Sequence, residues 1–465
     1  MNKRLFILCW LFACGLSAAA QAQRAFRLFY ADSGKMRLMA TLPAYPTGRA
    51  VLYCPGTARP GETENVCNER ADFFARLGVA CFQLFYRRPD ATAEAFVDDA
   101  QQAMRLIRDS AQAWHLNPDD IGMMGDGAGG FVVARLCTES RWAERPDFAI
   151  LLSPILSMDA RDRARRAALN PFCDRGFDPA TPLNNRLPFT LRPHLTPPAL
   201  LLATTDSPFL SPVNNALAYY AAMQKVGNRC ALHVYGQGSV RLWPANDNPL
   251  SGEMQQTLSS WLASLPSPQP GAVRVACIGN SITEGMGIPL SSVYGYPARL
   301  QQLLGPRFYV RNFGVSSRTM LNLGDRPYMR ELAWRDARDF RPDVVIVKLG
   351  TNDSKEENWR YGTHFEADLQ AMVDTLKSLP SHPRIVLATP IPAFKPTWTI
   401  NDSVLVHAIT PAVRRVAKRR GCLFLDLHRL SGLTEGDMQV DGIHPTAAGA
   451  DKIAQVVASF IVDNW

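Results

Sequence analysis

No uninterrupted apolar run in the 465 residues reaches the roughly 18 to 20 positions that a membrane-spanning helix needs. Cys-x-x-Cys and His-x-x-x-His spacings are also missing, which removes the common ligand patterns for zinc. Basic residues occur in short groups, such as Arg161 to Arg166 and Arg414 to Arg420, without interleaved aromatics. They read as solvated helix faces, so nucleic acid is not an expected partner. Neither a repeat period nor a low-complexity block is visible. No membrane span, no metal and no organic cofactor are therefore expected, and the sequence specifies no oligomeric state.

What is present is the composition of an ordinary globular chain, 47% hydrophobic and 20% charged. Its length predicts two or three domains, because single cores stop growing near about 250 to 300 residues. Met1-Asn2-Lys3-Arg4 and the apolar stretch Leu5 to Leu16, ending at Ser17 to Ala22, read as an export signal over 1–22. A lipoprotein-type reading of Leu11-Phe12-Ala13-Cys14 fits less well because of Phe12. The protein is thus expected to be exported, periplasmic or extracellular. Taking Lys3 and Arg4 from the net charge of +8 leaves +6, a mild excess. Eight of the ten cysteines lie beyond residue 22; export permits disulfides, but spacing alone does not reveal pairing.

The Pro-rich stretch 265–271 is the expected linker between two segments of alternating strands and helices. In the first, 25–264, Ile121-Gly122-Met123-Met124 reads as a short strand followed by Gly125-Asp126-Gly127-Ala128-Gly129-Gly130, which opens a helix. The pattern resembles the Gly-x-Ser-x-Gly-Gly nucleophile elbow of small α/β-hydrolases, with Gly127 where the serine would stand. The resemblance continues to Asp206, where such enzymes carry the triad acid. Ser239-Val240-Arg241 then occupy the place of the histidine. Lacking hydroxyl and imidazole, this domain is expected to be non-catalytic.

In the second segment, 272–465, four landmarks follow strand-like runs: Gly279-Asn280-Ser281-Ile282-Thr283-Glu284-Gly285, Asn312-Phe313-Gly314, Gly350-Thr351-Asn352-Asp353 and Asp441-Gly442-Ile443-His444-Pro445. Alternating strands and helices imply a mainly parallel sheet covered on both faces, with the landmarks at carboxyl strand ends, where sites in such sheets lie. In this order they resemble the SGNH (GDSL-type) hydrolases, and the longer stretches resemble the carbohydrate acetylesterase subgroup, sialate O-acetylesterase-like or xyloglucan acetylesterase-like. The fold class is then two three-layer α/β/α domains, α/β-hydrolase-like followed by SGNH/flavodoxin-like.

A serine hydroxyl needs a base within reach. His444 would be that base and Asp441, three residues earlier, its orienting acid. The resemblance implies Ser281 as nucleophile, and Ser281, Gly314 and Asn352 as donors to the oxyanion. Many members have Asp where this chain has Asn280, a change that bears on substrate preference more than on activity. Asn280, Arg318, Trp359 and Tyr296 are candidate substrate contacts, Arg318 as a carboxylate partner. The expected function is release of acetate from O-acetylated glycans, with sialic acid favoured on account of Arg318. Open alternatives are a plant cell-wall (xylan or xyloglucan) acetylesterase, a catalytically silent glycan-binding protein, and a lysophospholipase or thioesterase.

Overall fold

In a computed structural model of the protein, the structure describes residues 24–29, 37–56, 62–86, 93–157, 187–207, 210–238 and 250–465. The export signal over 1–22, the basic group Arg161 to Arg166, Cys173 and Ser239-Val240-Arg241 lie outside the described residues. The chain forms two compact units, the second being Gly271–Trp465 with Pro193–Leu195.

Among the described residues the first unit has an eight-stranded sheet: β1 (Arg24–Phe29), β2 (Arg37–Leu42), β3 (Ala50–Cys54), β4 (Ala80–Phe85), β5 (Ile121–Asp126), β6 (Ala149–Leu152), β7 (Ala199–Thr204) and β8 (Cys230–Tyr235). The spatial order is β1-β2-β4-β3-β5-β6-β7-β8, with β2 antiparallel to both its neighbours and the remaining pairs parallel. The sequences Ala50-Val51-Leu52-Tyr53-Cys54 and Ala199 to Thr204 are apolar almost throughout and buried throughout, as a strand covered on both faces requires. Their side chains alternate between two cores. Leu52, Met123 and Leu201 join one, and Val51, Tyr53, Met124 and Leu200 the other. Val97, Ala100, Met104 and Ile107 of the helix Ala93–Asp109 are buried, in keeping with their helical spacing.

The expected linker is packed onto this first unit. Asn117 Nδ2 donates to Pro268 O at 2.6 Å, the Ser267 hydroxyl donates to Asp120, and Leu265 is buried. Asp120 also holds the buried Arg49 at 3.0 Å, and Arg49 in turn donates to Leu262 O and Leu265 O. One guanidinium thus joins the sheet to the end of the helix Ser251–Ser264. Among the described residues, Cys54, Cys137, Cys230, Cys277 and Cys422 are free thiols.

The second unit carries β9 (Val273–Gly279), β10 (Phe308–Gly314), β11 (Val344–Lys348), β12 (Arg384–Ala388) and β13 (Leu423–Leu425), all parallel, in the order β10-β9-β11-β12-β13. The chain leaves β9 on one side and returns on the other, so the switch point lies at its carboxyl end, where a crevice is favoured. Val275 and Cys277 face a core with Leu300, Ile453 and Val457 from the helices Tyr296–Leu304 and Ala447–Asn464. The helical stretch from Asp402 to Arg420 is interrupted by a wide π-type turn at Leu405–Ile409, and Pro411 follows in Thr410–Arg420. Proline cannot donate to the preceding turn, which accounts for the break in the regular ladder. No helix among the described residues is long and apolar enough to cross a membrane.

Arg49→Met should lower stability by about 3 to 5 kcal/mol by stranding the buried Asp120. The urea midpoint of the full chain reads this, and a change under about 1 kcal/mol would show that Asp120 protonates or finds another partner without loss.

Candidate active site

Ser281 begins the one-turn helix Ser281–Glu284 directly after β9. Asn280 caps that turn, its Oδ1 accepting from the Ile282 amide at 3.2 Å. Gly279 must be glycine for steric reasons, since a Cβ there would lie 2.0 Å from Thr283 Oγ1. Gly314 is under the same constraint, its Cβ falling 2.3 Å from Glu284 N. Its lack of a side chain lets β10 pack closely against the nucleophile turn.

Far along the chain, Asp441 accepts the amides of Ile443 at 2.8 Å and His444 at 2.9 Å on Oδ1, folding Asp441 to His444 into a tight turn. Its Oδ2 lies 2.8 Å from His444 Nδ1, and His444 Nε2 lies 2.8 Å from Ser281 Oγ. Ser281, His444 and Asp441 thus form one hydrogen-bonded chain, with His444 4% exposed. Burial alone would raise the Asp441 carboxyl, but the His444 amide, the imidazole and the Ile443 amide outweigh it and hold the acid below its ordinary range. It therefore stays ionised and can stabilise an imidazolium.

The oxyanion donors expected from the sequence fare differently. Ser281 N–H is the first amide of its turn, where helix geometry offers no intrahelical acceptor. Asn352, just after β11, uses one amide hydrogen on Arg318 O at 3.1 Å, and a primary amide has a second to give. The Gly314 amide, by contrast, already donates to Asn312 Oδ1 at 2.8 Å.

Of the expected substrate contacts, Asn280 and Tyr296 are fully buried, so neither faces substrate. The Tyr296 hydroxyl lies 3.3 Å from Thr283 Oγ1, beneath the nucleophile turn. Arg318 is held by Glu331 at 2.7 Å and by Ser316 O at 2.7 Å, so its charge is already paired with a carboxylate of the protein. Trp359 is half-buried and packs on Phe365, with ring centroids 5.9 Å apart.

Several supporting residues were not singled out from the sequence. Asn312 Nδ2 donates to Thr283 O at 2.7 Å while its Oδ1 holds Gly314, so one side chain stitches β10 to the nucleophile turn. Asp353 is fully buried and accepts the amides of Met320 and Leu321 at 2.9 and 2.7 Å; burial pushes its carboxyl up to about 6 against those bonds. Asn358 donates to Asn352 O at 2.9 Å and fixes the Asn352 turn from outside. Lys348 ends β11 with its Nζ fully buried, 3.4 Å from Asn280 Oδ1, and burial lowers its amine to about 7. Its signal was a lone charge ending the otherwise apolar run Val344-Val345-Ile346-Val347. No group of three or more His, Cys, Asp or Glu able to hold a metal occurs among the described residues.

In the first unit the elbow survives as backbone. Gly127 sits at φ +49° with open space where a Cβ would project, a conformation natural to glycine. Asp126 is engaged by the Gly56 amide at 2.6 Å and by Arg70 at 3.5 Å, and Asp206 accepts from the Gly238 amide at 2.9 Å.

Residues 277–452 match the GDSL-like Lipase/Acylhydrolase family, and residues 53–239 match an alpha/beta hydrolase fold family. A protein of Xylanibacter ruminicola named acetylxylan esterase is 41% identical over 99% of this chain and 100% of its own length. Among solved structures, an acetyl ester-xyloside bifunctional hydrolase from Caldicellulosiruptor lactoaceticus is 24% identical, with a TM-score of 0.42 over 49% of this chain and 88% of that one. A thermophilic esterase from the Planctomycetes species Thermogutta terrifontis is 19% identical, with a TM-score of 0.39 over 49% and 86% of the two chains.

Two outcomes are expected. A lysine with a folded value near 7, against 10.5 unexposed to burial, is neutral when folded and charged when unfolded across that window. The unfolded state then binds the extra proton, so stability rises with pH between the two values. The difference in Tm between wild type and Lys348→Met should move in favour of wild type from about pH 7 to about pH 10, whereas a pH-independent difference would mean the amine stays charged. Gly127→Ser introduced into a Ser281→Ala background should add no acetate release, since the elbow would gain a hydroxyl without a base; recovered turnover would refute this.

Proposed function

On the premise that the chain belongs to the GDSL-like lipase/acylhydrolase family, with an alpha/beta hydrolase fold domain ahead of it, we propose that it removes acetyl groups from xylan. It is an ester hydrolase of the carbohydrate acetylesterase kind. The observation that carries the proposal is the assembled Ser281–His444–Asp441 chain in a protein 41% identical, end to end, to an acetylxylan esterase.

In this reading Ser281 Oγ attacks the acetyl carbonyl while His444 Nε2 takes its proton. Asp441 holds the imidazole through Nδ1 and stabilises the positive charge that forms. Negative charge on the carbonyl oxygen is met by the Ser281 amide and the Asn352 side chain. His444 then gives the proton to the departing sugar oxygen, which leaves as a hydroxyl, and acetyl-Ser281 remains. Water, deprotonated by His444, attacks that ester, and His444 passes the proton on to Ser281 Oγ as the acyl bond breaks and acetate is released. Ester oxygen, proton and acyl group balance without a cofactor.

Xylan is preferred here to sialic acid. The sialate reading rested on Arg318 as a carboxylate partner, and that guanidinium is bound to Glu331 and Ser316 O. The joined triad favours catalysis over silent glycan binding. The basic start and short apolar stretch of residues 1–22 support a site of action outside the cytoplasm, where polymeric xylan is met.

Acetate release from acetylated xylan, acetylated xyloglucan and O-acetylated sialoglycans tests the proposal. Xylan should be the best substrate, and Ser281→Ala should lower turnover by roughly 10⁴ to 10⁶-fold. Preference for sialoglycans would overturn the substrate, and release surviving in Ser281→Ala would overturn the nucleophile.

A further inference from the structure

Beside the triad runs a segment whose backbone is held against its own preference. Trp398 has φ 52° and ψ 35°, and Thr399 has φ 61°, two successive non-glycine residues in the left-handed region. Such geometry persists only where surrounding contacts impose it, and it collects at functional sites.

The contacts that impose it come from the catalytic turn and from Glu357. Phe394 N donates to Gly442 O at 2.9 Å, Lys395 Nζ to Val440 O at 3.0 Å, and Thr397 Oγ1 to Asp441 O at 2.6 Å. Thr399 Oγ1 is 2.6 Å from Trp398 O and 3.2 Å from Glu357 Oε2. The segment is therefore strapped along the turn that carries Asp441 and His444.

What the strap presents is the Trp398 indole. Its ring centroid lies 5.6 Å from that of His444, at 65°, yet the residue is 51% exposed. Packing on His444 alone does not account for a large apolar surface left in water at a strained position. A pyranose has an apolar C–H face of matching breadth, and indoles offer wide apolar faces at little entropic cost. An acetyl ester is joined to its sugar ring by a single oxygen, so a ring whose acetyl carbonyl meets Ser281 must stand close to the residues around His444.

We propose that Trp398 is the sugar platform of this site, the residue against which the pyranose carrying the acetyl group lies, and thus a determinant of specificity for sugar esters over simple acetates. The assignment rests on the carbohydrate acetylesterase reading above.

The test compares wild type, Trp398→Ala and Trp398→Phe, as full chains, on acetylated xylo-oligosaccharide and on ethyl acetate, an acetyl ester with no ring to stack. Trp398→Ala should lower kcat/KM for the oligosaccharide at least ten times more than for ethyl acetate, chiefly through KM. Trp398→Phe, which keeps an aromatic face, should recover most of that loss. Equal losses on both esters would overturn the platform and make Trp398 a prop for His444. Wild type that cleaves ethyl acetate but no acetylated sugar would instead overturn the substrate reading on which the platform rests.

Discussion

The site depends on strand register. Gly279 at the end of β9 lies opposite Gly314 of β10 on one side and Lys348 of β11 on the other. Backbone hydrogen bonding fixes this alignment, and a slip of one residue would send every side chain of the moved strand to the opposite face. Because the three strands end level, the nucleophile turn following Gly279 has β10 packed against it through Gly314 and a buried amine beside its cap. Only residues without a Cβ allow so close an approach at 279 and 314, and Asn312 converts the proximity into hydrogen bonds. His444 and Asp441 then need only be delivered by one tight turn, which Asp441 builds for itself through two backbone amides.

The chain contains a second strand-to-helix elbow, with Gly127 at its apex where a hydroxyl would be expected. At Gly127 the left-handed backbone remains, and the neighbouring Asp126 is tied to Gly56 and Arg70. Elbow geometry is thus a property of the β5-to-helix junction, maintained by close packing of Gly125 and Gly129 on nearby backbone. Chemistry is a separate layer added by side chains, which is why fold likeness alone does not assign activity.

Much of this was legible in the sequence because parallel α/β architecture is locally encoded. Apolar runs ended by glycine gave the strands, and Ser281, Asp441 and His444 each sat at a strand end or turn where a functional group is accessible. The errors share one cause: a side chain's partner can stand on another element, invisible to spacing. Arg318 was expected to meet a substrate carboxylate, yet Glu331 already holds it; Asn280 was expected to contact substrate, yet it is buried beside Lys348. Tyr296 was read as a substrate contact, although it follows Gly295 into the helix and fills the space under Thr283. Gly314 was read as an amide donor, yet the competing acceptor stands only two residues away, on Asn312. Nothing in composition or spacing singles out Trp398, since the left-handed backbone that sets it apart leaves no mark there.

The buried amine has a consequence for how this site tolerates change. Lys348 and Asn280 meet where neither can reach water, so the residue acceptable at one position is conditioned by the other. A carboxylate at 280 would meet a basic partner at 348 and form an ion pair, but the same carboxylate opposite an apolar residue would be stranded. The two substitutions are therefore non-additive by construction. Asn280 and Lys348 thus form one two-residue unit, and a nucleophile motif read one letter at a time misses half of it.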